Sequence, residues 1–75
     1  MPDLRVVCHN YGENLYVQLS GPSDGRTNSP DKTFQALLEG YYTVTGACDG
    51  RPDESQGINL VSDGRVDLNF RALAG

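Results

Sequence analysis

The residues of this chain with side chains able to do chemistry are few: one histidine, His9; two cysteines, Cys8 and Cys48; and an acidic run of Asp49, Asp53 and Glu54. Thiol–imidazole catalysis needs the two groups within hydrogen-bond reach. Neighbours in an extended segment point to opposite faces, so Cys8 and His9 cannot form such a pair. Cys48 would have to supply the thiol, yet it continues the inward phase of Tyr42, Val44 and Gly46 and is expected to be buried, where thiols are usually inert. His9 then reads as an ordinary surface histidine. One histidine and two distant cysteines lack the close spacing of zinc ligands, and Asp49, Asp53 and Glu54 lack the alternating acidic spacing of a calcium loop. The sequence holds no phosphate-cradling glycine loop, no Gly-x-Ser-x-Gly and no paired-carboxylate signal. The expectation is a protein that is not an enzyme and holds no metal or cofactor.

Both cysteines fall on inward phases, so a bridge between them is geometrically open; it would close a loop of 41 residues, worth about 4 kcal/mol in the chain-entropy model. The competing reading is two buried free thiols. The stretch MPDLRVVCHN has no basic segment followed by a long apolar run, so no export signal is expected, and free thiols in a reducing compartment are favoured. No apolar stretch approaches the ~20 residues of a membrane span. A soluble cytoplasmic chain is expected, with its ends, Met1 and Gly75, held by the fold.

The elements that must position these residues are short strands. The 75 residues carry 6 basic and 10 acidic side chains, a net charge of -4, and a single lysine, Lys32. A phosphate-binding surface needs clustered basic residues, which argues against nucleic acid. Leu, Ile, Val and Phe make up 17 of the 75 residues, enough for one modest core and too many for a disordered chain. Leu4, Val6 and Cys8 share one face of a first strand against Arg5, Val7 and His9 on the other. Leu15, Val17 and Leu19 alternate with Tyr16, Gln18 and Ser20. Tyr11–Asn14 between them reads as a hairpin turn. A polar run from Gly21 to Lys32 leaves room for a short edge strand near Arg26–Asn28. A second hairpin is expected from Thr33–Leu38 and Tyr41–Cys48 around Glu39-Gly40, with Leu37 outward. Asp49–Gly57 reads as a loop, and Gly57–Val61 with Arg65–Phe70 as a third hairpin. The tripeptide Asp-Gly-Arg recurs at residues 24, 49 and 63, which reads as turn chemistry: local Asp capping, Gly at positive φ, and Arg opening the next strand. Six to seven strands in one domain over residues 1–75 imply an all-β, two-sheet antiparallel sandwich.

The stretch from Leu37 to Phe70 resembles the second half of the prealbumin-like sandwich modules: the carboxypeptidase regulatory-like, collagen-binding B-type and PEGA repeats. Gly40, Tyr42, Val44, Ile58, Val66, Leu68 and Phe70 stand where that pattern places a strand-opening glycine and inward aromatic, β-branched and aliphatic residues. The resemblance implies a small β-sandwich module and no catalytic residues. Two positions depart from it. Glu39 replaces the proline common before that glycine, and the first strand carries Arg5 where isopeptide-forming members have a lysine that joins an asparagine of the last strand. Asn69 is present, but Lys32 lies mid-chain, so no such bond is expected.

What remains for function is surface. Tyr16 and Tyr41, with Val7 and Leu37, lie on outward phases and are expected to give one sheet face apolar area suited to a partner. The leading expectation is a non-enzymatic structural or interaction module attached to a larger protein assembly, or to itself, in the manner of a decoration or cement subunit on a virion or similar shell. A carbohydrate-binding module, stacking sugars on Tyr11, Tyr16, Tyr41 or Tyr42, is the second expectation, although tryptophan is absent. An inhibitor inserting Gly21–Pro30 or Asp49–Ser55 into an enzyme cleft is the third.

Overall fold

A computed structural model describes residues 1–72. The residues that alternate in the sequence become strands whose apolar sides meet between two sheets. Seven strands occur among the described residues: β1 (Leu4–His9), β2 (Tyr16–Ser20), β3 (Gly25–Thr27), β4 (Asp31–Phe34), β5 (Gly40–Cys48), β6 (Arg51–Leu60) and β7 (Gly64–Asn69). A three-stranded sheet has the order β4-β1-β7, and a four-stranded sheet the order β3-β2-β5-β6. The chain is an all-β two-sheet sandwich. All pairs are antiparallel except β1 and β7, which run parallel in register from Leu4↔Gly64 to His9↔Asn69.

The inward phases fill the slab. Leu4, Val6 and Cys8 from β1, Val17 and Leu19 from β2, Tyr42 and Val44 from β5, Leu60 from β6, and Val66 and Leu68 from β7 are buried with Leu15, Phe34, Leu37 and Phe70. Tyr42 is the largest fully buried side chain, and its hydroxyl donates to the Leu38 carbonyl at 2.6 Å. A tyrosine back-bonded to the chain a few residues upstream fixes a corner where the chain passes between sheets. Gly46 makes the opposite contribution: a Cβ there would sit 2.7 Å from Phe70 Cζ and 2.9 Å from Leu68 Cδ1, so the ring of Phe70 occupies the space a side chain would take.

The structure corrects the expected pairing. None of the three expected hairpins forms, because in each the two strands belong to different sheets: β1 and β2, β4 and β5, and β6 and β7 are joined by arches. The hairpins are β2–β3 and β5–β6. The expected loop Asp49–Gly57 is mostly β6, whose pairing with β5 begins at Cys48↔Arg51. Gly50, at φ +75°, makes the tight turn. Gly25 and Gly64 open β3 and β7 without positive φ, Gly25 under the Phe34 ring, so the expected positive φ occurs at Gly50 alone of the three, while the arginine stands in the first two residues of a strand at every site.

The expected strand through Leu38 stops at Phe34. Ala36 takes a left-handed conformation (φ 55°), with its N–H on Asp3 Oδ1 at 2.9 Å. That reverses the alternation, so Leu37, expected outward, turns into the core and is only 6% exposed, while Leu38 faces out. The Leu37 N–H bonds the Pro2 carbonyl, and the Asp3 N–H bonds Asp63 Oδ1, which docks the N-terminal end. The expectation for Gly75 lies outside the described residues.

Tyr42→Phe should lower unfolding free energy by about 1 kcal/mol, the net worth of one hydrogen bond. Gly46→Val should cost roughly 1–3 kcal/mol by overpacking against Phe70. Urea unfolding of both variants checks these values, and a neutral Gly46→Val would contradict the close packing at that point.

Candidate functional site

Two outer faces remain, and they differ in chemistry. On the three-stranded sheet, β1 presents Arg5, Val7 and His9 between Asp31 and Thr33 of β4 and Arg65, Asp67 and Asn69 of β7. The charges there are paired. Arg5 forms a two-pronged contact with Asp31, Nε to Oδ1 at 3.0 Å and Nη2 to Oδ2 at 2.6 Å. The Arg65 guanidinium bonds Asp67, which also meets His9 Nε2 at 3.1 Å. The guanidinium of Arg5 holds the Asp31 carboxyl below its ordinary value, and Arg65, then His9, do the same for Asp67. Val7, half-buried, lies opposite Asp31 on one side and Asp67 on the other.

The outer face of the four-stranded sheet is uncharged over most of its area. Its rows, read across strands, are Tyr16–Ala47, then Arg26–Gln18–Thr45–Ser55, then Ser20–Thr43–Gly57, then Tyr41–Asn59. Among these side chains only Thr45 and Ser55 are within hydrogen-bond distance of each other, at 3.4 Å. Tyr41 is 63% exposed and Tyr16 40%. The Tyr41 ring crosses Gly57, where a Cβ would meet its hydroxyl, so the glycine lets the ring lie flat against the sheet. Between β2 and β3 this face carries a shallow groove of about 350 Å³ lined by Tyr16, Gln18, Ser20, Asp24, Gly25 and Arg26.

Of the four expected partner residues, Tyr16 and Tyr41 share this face, Val7 lies on the opposite sheet, and Leu37 is in the core. They do not form one apolar patch. Tyr16 stands opposite Ala47, six positions along β5 from Tyr41, so roughly 20 Å of polar sheet separates the rings. Among the stacking candidates for sugar, Tyr42 is fully buried and Tyr11 is exposed in the β1–β2 arch. Of the two inhibitor segments, Asp49–Ser55 is mostly the start of β6, whereas Gly21–Pro30 carries only the three-residue β3 and is otherwise outside strands. Gln18, Ser20, Thr43 and Thr45 were not singled out by sequence reasoning. The signal was present in their shared outward phase with Tyr16 and Tyr41.

Cys8 and Cys48 are free thiols. Burial, and secondarily Cys48, pushes the Cys8 thiol up, which keeps it neutral. Cys48 Sγ accepts from the Gly12 N–H at 3.2 Å. His9 and Cys8 lie on opposite faces of β1, as the alternation requires, and no group of three His, Cys, Asp or Glu among the described residues is arranged to hold a metal.

Because both lowered carboxylates contribute stability only while ionised, that contribution is complete above the ordinary carboxylate value of 3.8 and is lost as pH falls through their lower folded values. The melting temperature should therefore fall on acidification below that value, and Asp31→Asn combined with Asp67→Asn should flatten the fall. A wild-type acid limb identical to that of the double variant would remove these pairs from the stability of the fold. Comparison with known protein families, curated proteins and solved structures returns no match.

Proposed function

We propose that the domain is a non-enzymatic interaction module that docks on a larger protein assembly through the outer face of its four-stranded sheet. The observation that carries this is the asymmetry of the two faces. One has its charges committed to each other; the other offers hydroxyl and amide groups of Gln18, Ser20, Thr43 and Asn59 to outside partners, framed by Tyr16 and Tyr41. Tyrosines above uncharged polar groups suit a protein partner, because such a surface desolvates cheaply and still orients what it binds. A decoration or cement role on a shell is the form of this reading that suits so small a module. Tyr42, Val44, Val66, Leu68 and Phe70 point inward, as a prealbumin-like module would have them.

The groove beside Tyr16 favours a second reading, a carbohydrate site. A ring, an amide, a hydroxyl, a carboxylate and a guanidinium converge there. The two readings separate at Tyr41, which lies far from the groove. Docking across the face predicts that Tyr41→Ala and Tyr16→Ala each weaken co-sedimentation with the native assembly by about tenfold or more. A sugar groove predicts that Tyr16→Ala and Arg26→Ala abolish signal on a glycan array while Tyr41→Ala does not. Retention of the assembly by a double Tyr→Ala variant at wild-type strength would defeat the docking reading.

A further inference from the structure

We infer that the open edge of β7 is a two-fold interface at which a second copy of this chain pairs antiparallel, with Arg65 of each copy opposite the partner's Asp67. The Gly64 and Phe70 N–H groups bond the Asp3 and His9 carbonyls. In a parallel ladder of that register the N–H and C=O groups of Arg65, Asp67 and Asn69 point away from β1. Among the described residues, no strand pairs on that side. β7 therefore presents a row of unmatched donors and acceptors, the feature through which sheets extend themselves.

The other three edges are blunted. β3 has three residues, β4 carries Asp31 and Lys32 directly after Pro30, and β6 contains Pro52, Asp53 and Glu54. β7 has no proline and alternates cleanly between core and solvent. Its two charges, which meet within one copy at 3.0 Å, are exposed enough to be shared across the seam and select the partner. In an antiparallel pair, side chains directly opposite share a face, so the two-fold must fall on a residue. Centred on Asp67 it sets two carboxylates face to face, and centred on Arg65, two guanidinium groups. Centred on Val66 it sets Arg65 against the partner's Asp67 twice, and these are the residues whose backbone groups point outward. That register closes four backbone hydrogen bonds and two opposite-charge pairs, and it brings Val66 of the two copies together on the inner face. Opposite charges directly across a strand pair stabilise and like charges destabilise, so the sequence of β7 is complementary to itself in one register. An isologous contact of this kind closes at two copies and does not propagate.

The full chain in sedimentation equilibrium should show a monomer–dimer equilibrium. Its amide exchange should slow with rising concentration at Arg65 and Asp67, with no change on β3 and β6. Arg65→Asp should raise the dimer dissociation constant by about tenfold or more. Combining it with Asp67→Arg, which restores opposite charges in the same register, should recover wild-type association. A strictly monomeric wild type up to about 1 mM, protection on another edge, an Arg65→Asp dimer of unchanged affinity, or failure of the charge swap to recover it would each overturn the proposal.

Discussion

The sandwich depends on the parallel pairing of its first strand with its last. β1 and β7 are about 60 residues apart in sequence, and without β7 the three-stranded sheet would keep only the short β4 beside β1. Six of the fourteen buried core residues, Leu4, Val6, Cys8, Phe34, Val66 and Leu68, come from this sheet. Polar contacts around the pair reinforce it at both ends: the Asp3 N–H on Asp63 near the start, and Asn10 on Asn69 near the finish. Such a contact forms only when the whole chain is in place, so loop-closure entropy must be met before the slab is sealed. The two β-hairpins of the other sheet are the local part of the fold, and the first-to-last pairing makes it a closed domain.

That division explains what could be read from the sequence. Period-2 alternation depends only on which side of a strand meets the core, and it correctly placed Leu4, Val6, Val17, Leu19, Tyr42, Val44, Val66 and Leu68 inside. It carries no record of which strands are partners. A polar turn such as Tyr11–Asn14 has the same composition whether the chain doubles back within a sheet or crosses to the opposite one, and here it crosses. β6 was hidden for a different reason. Its start, Arg51 to Glu54, is polar because it lies on a sheet edge, and β5 supplies the pairing that its own side chains do not advertise. Leu37 was misplaced by a single backbone torsion at Ala36, a residue with no intrinsic taste for the left-handed region. Asp3, drawn in by the N-terminal segment, stabilises that torsion from 33 positions away.

The same logic applies to the candidate site. Tyr16 and Tyr41 were legible as outward residues on strands, and they do share a face, because β2 and β5 are true neighbours. Val7 was equally legible as outward, yet its strand lies in the other sheet. Assigning four residues to one patch required a sheet order that alternation does not contain. Once the order is known, the faces separate by chemistry: Arg5, Asp31, Arg65, Asp67 and His9 satisfy one another on one side, while uncharged hydroxyls and amides stand open on the other.

The interior also bears on the non-enzymatic reading. A nucleophilic thiol must reach its anionic form, and an anion at Cys8 would have to be desolvated within a layer of Leu, Val and Phe side chains. The group that could draw its proton, the His9 imidazole, projects from the opposite side of the same strand toward Asp67. Moving it inward would take a one-residue slip of β1, which would also drive Arg5 and Val7 into the core and expel Leu4 and Val6. Pairing on both sides of β1, by β4 and β7, holds that register in place. Cys8 and His9, the nearest this chain comes to a thiol–imidazole pair, are thus kept apart by the constraint that builds the core.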